Sequence, residues 1–359
     1  MKKKVIIALL LIFASAFIYK IWMDNALDVD DNASASFTFG ENLSVITQKE
    51  TRIGIKINNS DLLKVELKLN DSTLQIWNSP KGSIFHVLKT NTLKLGTKKL
   101  VLISTLSDNS TETEERFLKI LNDKKPDVWK LEVGKEYTHR DSSYTQGLEF
   151  YQGELFEGTG DPSNQGNTLV AKVDQNTGKI LKKVGLDATH FGEGITILND
   201  TLYQLTWKNQ KCLLYNAKDL SVLSKEFKYN GEGWGLCNDG KYLIMSNGTE
   251  QLVFRNPKTF EVVKTIEATT HEGSIPQLNE LEYIDGRIYA NIYMQDLIAV
   301  INPTSGAVEA IIQAGDISSK YRGKGEVLNG IAFNSKNQEL VITGKFWNKL
   351  LAVKIKKGV

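Results

Sequence analysis

One pattern recurs along the C-terminal two thirds of the chain and narrows the possible folds more than any other feature. Gly147-Leu-Glu-Phe150, Gly194-Ile-Thr-Ile197, Gly235-Leu-Cys-Asn238 and Gly330-Ile-Ala-Phe333 share a glycine at the start of an apolar strand, and Glu280-Leu-Glu-Tyr283 is a variant without the glycine. Successive occurrences are 47, 41, 45 and 50 residues apart. Self-similarity at such a period marks a repeat architecture, in which each unit buries its apolar face only against its neighbours.

A turn and a second strand follow each occurrence: Leu155-Phe-Glu-Gly, Leu202-Tyr-Gln-Leu, Leu243-Ile-Met-Ser, Ile288-Tyr-Ala-Asn and Leu340-Val-Ile-Thr. Third and fourth strands come next, as in Leu169-Val-Ala-Lys-Val and Ile180-Leu-Lys-Lys-Val around the turn at Asn176-Thr-Gly178. Four strands per 40 to 50 residues is the period of a β-propeller blade, so residues 128–359 are expected to form five blades. The last repeat ends after its third strand, Leu350-Leu-Ala-Val-Lys-Ile. Val128-Trp-Lys-Leu-Glu-Val133, ahead of the first repeat, can supply the missing strand and remove an open sheet edge.

Repeat register predicts a site. In a propeller the first strand of each blade lines the channel, so the residues just ahead of the glycine gather at one mouth: Gln146, Glu193, Trp234, Asn279 and Asn329. First and second strands are antiparallel, which brings the end of the second strand to the same rim. Thirteen residues after the glycine, or its equivalent, those positions hold Gly160, Trp207, Gly248 and Tyr293, with Lys345 at fifteen in the last repeat, and Tyr144 and Phe191 lie two residues ahead of Gln146 and Glu193. Aromatic rings with a few convergent polar groups describe a small-ligand pocket. Glu193 is the only carboxylate in either ring, and such surroundings raise a carboxyl's pKa by desolvation and suit it to proton exchange. The structural alternative is a ring of polar residues that satisfy one another, with aromatics filling the taper of the channel.

Residues 36–122 carry period-two alternation without helical segments, as in Ile53, Ile55 and Ile57 or Val65, Leu67 and Leu69. Short strands between Asn, Asp, Ser and Gly turns suggest an immunoglobulin-like β-sandwich, a spacer or docking module joined to the repeats by a linker at 123–127. Ahead of it, Lys2, Lys3 and Lys4 precede the apolar run Val5 to Ile18 with Ala14-Ser15-Ala16. Residues 1–23 therefore read as a secretory signal peptide or an uncleaved membrane anchor, followed by a tether at 24–35. Export is expected on either reading, to the periplasm or the extracellular space.

The net charge of +2 gives no electrostatic case for nucleic acid. Cys212 and Cys237 are the only cysteines and read as small buried hydrophobes rather than a bridge. His86, His139, His190 and His271 are scattered without metal-ligand spacing.

Together, Tyr144-Thr-Gln-Gly-Leu148, Phe191-Gly-Glu-Gly194, Leu205-Thr-Trp207, Gly233-Trp-Gly-Leu236, Asn279-Glu-Leu-Glu282, Tyr289-Ala-Asn291, Leu328-Asn-Gly-Ile-Ala332 and Thr343-Gly-Lys345 resemble the plant and bacterial type of glutaminyl-peptide cyclotransferase. The resemblance covers residues 129–359. It implies a five-bladed propeller, a monomer, that converts the N-terminal glutamine of peptides or proteins to pyroglutamate with release of ammonia. It implies no catalytic metal, allows a structural calcium ion, and matches Glu193 to the family's acid/base carboxylate. Tyr144, Gln146, Phe191, Trp207, Trp234, Asn279, Tyr293 and Lys345 match its pocket, with Tyr293 where Trp is frequent and Tyr144 where Phe is frequent. Asn329, read from register, completes the candidate set. The contrasting expectation is an exported propeller that binds a small ligand or peptide terminus without turning it over.

Overall fold

The computed structural model describes residues 33–163 and 165–358, so the signal or anchor expected at 1–23 and most of the tether lie outside the described residues. Among the described residues no helix is long and apolar enough to cross a membrane. The chain divides into two compact units between Asp123 and Lys124.

The first unit contains β1 (Ala35–Phe37), β2 (Asn42–Ile46), β3 (Glu50–Ile57), β4 (Leu62–Leu69), β5 (Ser72–Asn78), β6 (Ser83–Lys89), β7 (Gly96–Leu106) and β8 (Thr111–Leu121). They form a three-stranded sheet, β1-β3-β6, and a five-stranded sheet, β2-β8-β7-β4-β5. The alternation seen in the sequence is the burial pattern: Ile53 and Ile55 from one sheet and Val65, Leu67, Leu100, Leu102, Leu118 and Ile120 from the other share one apolar core. Within the five-stranded sheet, β2 joins β8 in parallel.

The second unit opens with β9 (Asp127–Thr138) and then runs through strands joined mostly by tight turns. β10 (Tyr144–Tyr151), β11 (Glu154–Gly160), β12 (Leu169–Val173) and β13 (Ile180–Gly185) make one antiparallel sheet in chain order. β14 (Gly192–Leu198), β15 (Thr201–Thr206), β16 (Lys211–Asn216) and β17 (Val222–Lys228) make the next. A third holds β18 (Leu236–Asn238), β19 (Leu243–Ser246), β20 (Gln251–Arg255) and β21 (Val262–Glu267). The remaining strands are β22 (Leu278–Ile284), β23 (Arg287–Ile292), β24 (Leu297–Ile301), β25 (Val308–Gln313), β26 (Leu328–Asn334), β27 (Glu339–Gly344) and β28 (Lys349–Lys356). With β9 they form one sheet of eight, in the order β22-β23-β24-β25-β9-β28-β27-β26. A short helix, α1 (Gly315–Tyr321), lies between β25 and β26 and fills the longest step of the repeat. The repeat pattern gives no sign of it.

β9 lies beside β28 in antiparallel register, from Lys130 opposite Lys356 to Thr138 opposite Lys349. The strand is longer than the expected Val128 to Val133, and its first residues also pair in parallel with β25, Asp127 opposite Ala310. One strand thus joins the last two repeats.

The five first strands touch in a closed circuit, β10 to β14, β14 to β18, β18 to β22, β22 to β26 and β26 back to β10. Backbone proximity explains the signature glycine. A Cβ on Gly194 would sit 2.6 Å from the Trp234 carbonyl oxygen, and one on Gly235 would overlap the carbonyl of Asn279. Glu280 takes the glycine's place in the fourth repeat, and its carboxylate accepts the backbone N–H groups of Leu148 at 3.1 Å and Ile331 at 2.8 Å. Further along the same strands, Glu149 accepts from Ile197 and Glu282 from Phe333. Burial pushes the Glu149 carboxyl up to about 8 and holds those of Glu280 and Glu282 well above the ordinary range. Cys212 and Cys237 are unpaired buried thiols.

Candidate active site

Four of the first strands are irregular at the same level. In β10, Thr145 faces Thr159 and Gly147 faces Gly158, which leaves Gln146 as an extra residue. In β14, Glu193 and Gly194 lie between Gly192, opposite Thr206, and Ile195, opposite Gln204. β22 repeats this at Asn279 and Glu280, and β26 at Asn329 and Gly330. A β-bulge of this kind re-aims a side chain out of the regular alternation. The ends of the second strands are fixed to the same level, because the N–H groups of Trp207, Tyr293 and Lys345 donate to the carbonyls of Phe191, Gln277 and Val327.

A cavity of about 440 Å³ results, lined by Tyr144, Gln146, Asp161, Pro162, Phe191, Glu193, Trp207, Trp234, Asn279, Tyr293 and Lys345. Of the rim positions expected from the sequence, Asn329 and the two glycines, Gly160 and Gly248, do not line it. Asn329 is fully buried one layer back, where its amide nitrogen donates to the Thr145 carbonyl at 2.9 Å and to Gln146 Oε1 at 3.3 Å. The two glycines among the rim positions make room for rings. A Cβ on Gly160 would overlap Phe191, and one on Gly248, whose φ is +81°, would sit 2.6 Å from Trp234.

The walls form a circuit. Tyr144 meets Phe191 edge-on with ring centres 6.1 Å apart, and Phe191 meets Trp207 at 5.8 Å. Trp234 meets Tyr293 at 5.5 Å. Lys345 spans from Tyr293 to Tyr144, its ammonium 5.0 and 4.5 Å from their ring centres, a cation–π clasp.

Glu193 is 4% exposed and accepts a hydrogen bond from Gln146 Nε2 at 2.9 Å. Asn329, donating to the opposite end of the Gln146 amide, fixes which way that amide points. Burial holds the Glu193 carboxyl well above the ordinary carboxylate range; Lys345 and the Gln146 hydrogen bond pull it down, and Glu232 pushes it up. Burial lowers the Lys345 ammonium to about 8, against the opposing pull of Glu193 and Glu326. Desolvation therefore drives both groups toward neutrality. Asn279 lines the cavity, and its buried Oδ1 has no hydrogen-bond partner among the described residues.

Register reasoning missed Asp161 and Pro162, which follow Gly160 directly, and Glu232, two residues ahead of Trp234. Asp161 accepts the N–H of Asn167 at 2.8 Å and closes its own loop. Glu232 holds the indole N–H groups of Trp207 and Trp234. The signal for it was present, since Glu232 immediately precedes the Gly233-Trp-Gly-Leu236 motif. Among the described residues no cluster of three or more His, Cys, Asp or Glu side chains is placed to hold a metal ion.

Comparison with known proteins places these features in context. A family model described as glutamine cyclotransferase matches residues 100–355 and so begins within β7 of the first unit. The glutaminyl-peptide cyclotransferase of Arabidopsis thaliana is 39% identical over 236 residues, which span 64% of this chain and 72% of that protein. The crystal structure of Myxococcus xanthus glutaminyl cyclase superimposes with a TM-score of 0.61 at 29% identity, covering 66% of this chain and all of that one.

Proposed function

Since the chain belongs to the glutamine cyclotransferase family, we propose that its pocket converts the N-terminal glutamine of peptides or proteins to pyroglutamate and releases ammonia, with Glu193 as the acid/base group. The observation that carries the mechanism is one buried carboxyl, aimed by Gln146, inside an aromatic cavity.

The substrate already holds both reacting groups, so the pocket's first task is to bring them together. The aromatic walls pack the glutamine side chain against its own α-amine, which supplies the orientation that a free peptide lacks. Asn279, a polar residue of the lining, holds the substrate's carboxamide. Glu193 takes a proton as the α-nitrogen bonds to the side-chain carbonyl carbon. It returns that proton to the amide nitrogen as the C–N bond breaks, so lactam and ammonia are the only products. Burial that raises the Glu193 carboxyl brings it closer to an α-amine than an ordinary carboxyl is, which lowers the cost of passing the proton in both directions. Lys345 faces the oxygen that gains negative charge in the tetrahedral intermediate.

The finer architecture follows the same reading. We take the closed circuit as a five-bladed propeller, with β9 completing the fifth blade, and the first unit as an immunoglobulin-like spacer or docking module. Residues 1–23 direct export, as a cleaved signal or as an anchor.

Mass spectrometry of a short Gln-initiated peptide incubated with the protein tests the activity, with loss of the mass of one NH₃ from the peptide and release of one equivalent of ammonia expected. Glu193→Gln is expected to keep the fold and lose about 10²–10⁴-fold in kcat. Full activity in that variant would remove Glu193 from the mechanism. Saturable binding of the peptide by wild-type protein without product would leave a binding module instead.

A further inference from the structure

Trp207 and Trp234 belong to neighbouring repeats, and no ring contact joins them among the aromatic pairs of the pocket. What joins them is a single atom. Glu232 Oε2 accepts the indole N–H of Trp207 at 2.7 Å and that of Trp234 at 2.9 Å. Glu232 sits on the connection from β17 to β18, outside the cavity lining, and its other oxygen is 4.0 Å from Lys208 Nζ. The Lys208 ammonium in turn lies 4.0 Å from the Trp207 ring centre.

The wall around the cavity therefore has two charged joints. Lys345 closes it between Tyr293 and Tyr144 from the inside, and Glu232 closes it between Trp207 and Trp234 from behind. An indole can donate only one hydrogen bond, so a shared anionic acceptor fixes the rotation of both rings about their side-chain bonds. Without it, each ring would keep its packing on one side and gain freedom on the other.

We propose that Glu232 is a positioning residue for cyclisation: by holding both indoles on one carboxylate oxygen it sets the width of the slot that grips the substrate's glutamine side chain, a role that rests on the functional reading above. It touches neither substrate nor reacting atoms. Its hold on Trp207 and Trp234, which line the cavity, acts mainly on binding, and its charge, which also pushes the Glu193 carboxyl up, is what Glu232→Gln removes while keeping an acceptor for the rings.

Glu232→Leu and Glu232→Gln decide the matter, each checked for folding by circular dichroism and thermal melting. For Glu232→Leu, kcat/KM for a Gln-initiated peptide is expected to fall about tenfold, carried mainly by KM. Glu232→Gln keeps an acceptor without the charge and should recover part of the loss. Indole N–H resonances, assigned with Trp207→Phe and Trp234→Phe, give a readout independent of turnover. Those of Trp207 and Trp234 should move in Glu232→Leu while that of Trp347, which donates to the Glu326 carbonyl, stays in place. Kinetics within twofold of wild type in Glu232→Leu, or two unmoved indole resonances, would overturn the proposal. If wild-type protein does not cyclise the peptide, the functional reading fails by itself. The indole resonances then still report whether Glu232 holds the rings, and peptide affinity by calorimetry replaces KM as the readout, with unchanged affinity in Glu232→Leu counting against the slot.

Discussion

At the scale of single residues, Lys345 offers the sharpest test of the electrostatics. Its ammonium is buried against two aromatic rings, and burial lowers it to about 8, so its charge is present below that pH and lost above it. The prediction is that kcat/KM declines above about pH 8, that Lys345→Arg carries its activity past that point because guanidinium stays charged, and that Lys345→Met loses about 10²–10³-fold at pH 7. A pH–rate profile of the three proteins checks it; a decline unchanged by Lys345→Arg would assign the titration to another group. Glu193 was legible in the sequence because it occupies a fixed offset in a repeat; Lys345 lies fifteen residues after its glycine where the other repeats have thirteen, and was legible because it still ends the second strand. Glu232 shares the register of Tyr144 and Phe191, two residues ahead of the rim position, but it carries a carboxylate where those repeats carry rings, so reading that position for aromatic walls passed it by. Asn329 has the right offset but packs behind Gln146, a distinction that depends on which amide lies in front.

At the scale of strands, the bulges of β10, β14, β22 and β26 explain why the site residues can point into a common cavity while their neighbours bury in the core. They left no mark in the sequence beyond the glycine that follows three of them, since a bulge is a two-against-one pairing and the partner strand is half of it. The glycine itself has a testable purpose. Gly235→Ala drives a Cβ into the Asn279 carbonyl, backbone against backbone, and is expected to cost about 1–3 kcal/mol by chemical denaturation. Gly160→Ala meets a side chain instead, and should cost less stability but raise KM several-fold as Phe191 is pushed into the pocket. Equal effects of the two changes on stability and KM would contradict this division. The helix α1 was invisible for a different reason: it is only seven residues long, too short for an apolar period to register.

For the whole molecule, the channel makes stability depend on pH in a definite direction. Glu149 titrates near 4.5 when unfolded and at about 8 when folded, so the folded state holds a proton that the unfolded state has released between those values. Stability is then fully present below about 4.5 and falls as pH rises toward about 8, by about 1.4 kcal/mol per pH unit for each such proton. Glu280 and Glu282 act in the same direction. Thermal melts of wild type and Glu149→Gln between pH 5 and pH 8 should converge at the acid end and separate at the alkaline end, with the variant the more stable there; a constant difference would show that Glu149 does not titrate in this window. The closed circuit of repeats was legible because periodicity is a property of the sequence itself. The parallel seam between β9 and β25 was not, because it joins segments that share no repeat position.

That seam bears on how the chain is made. β9 leaves the ribosome before any repeat, yet Tyr137 faces Leu350 of β28, which follows every other described strand. Until β28 emerges, the edge of β9 that will face it is unmatched, the kind of surface on which two nascent chains would pair with each other. Its own composition answers that hazard: Lys130, Glu132, Lys135 and Glu136 interrupt the apolar residues, and charges along an open edge are what keep it from adopting the wrong neighbour while it waits for the right one.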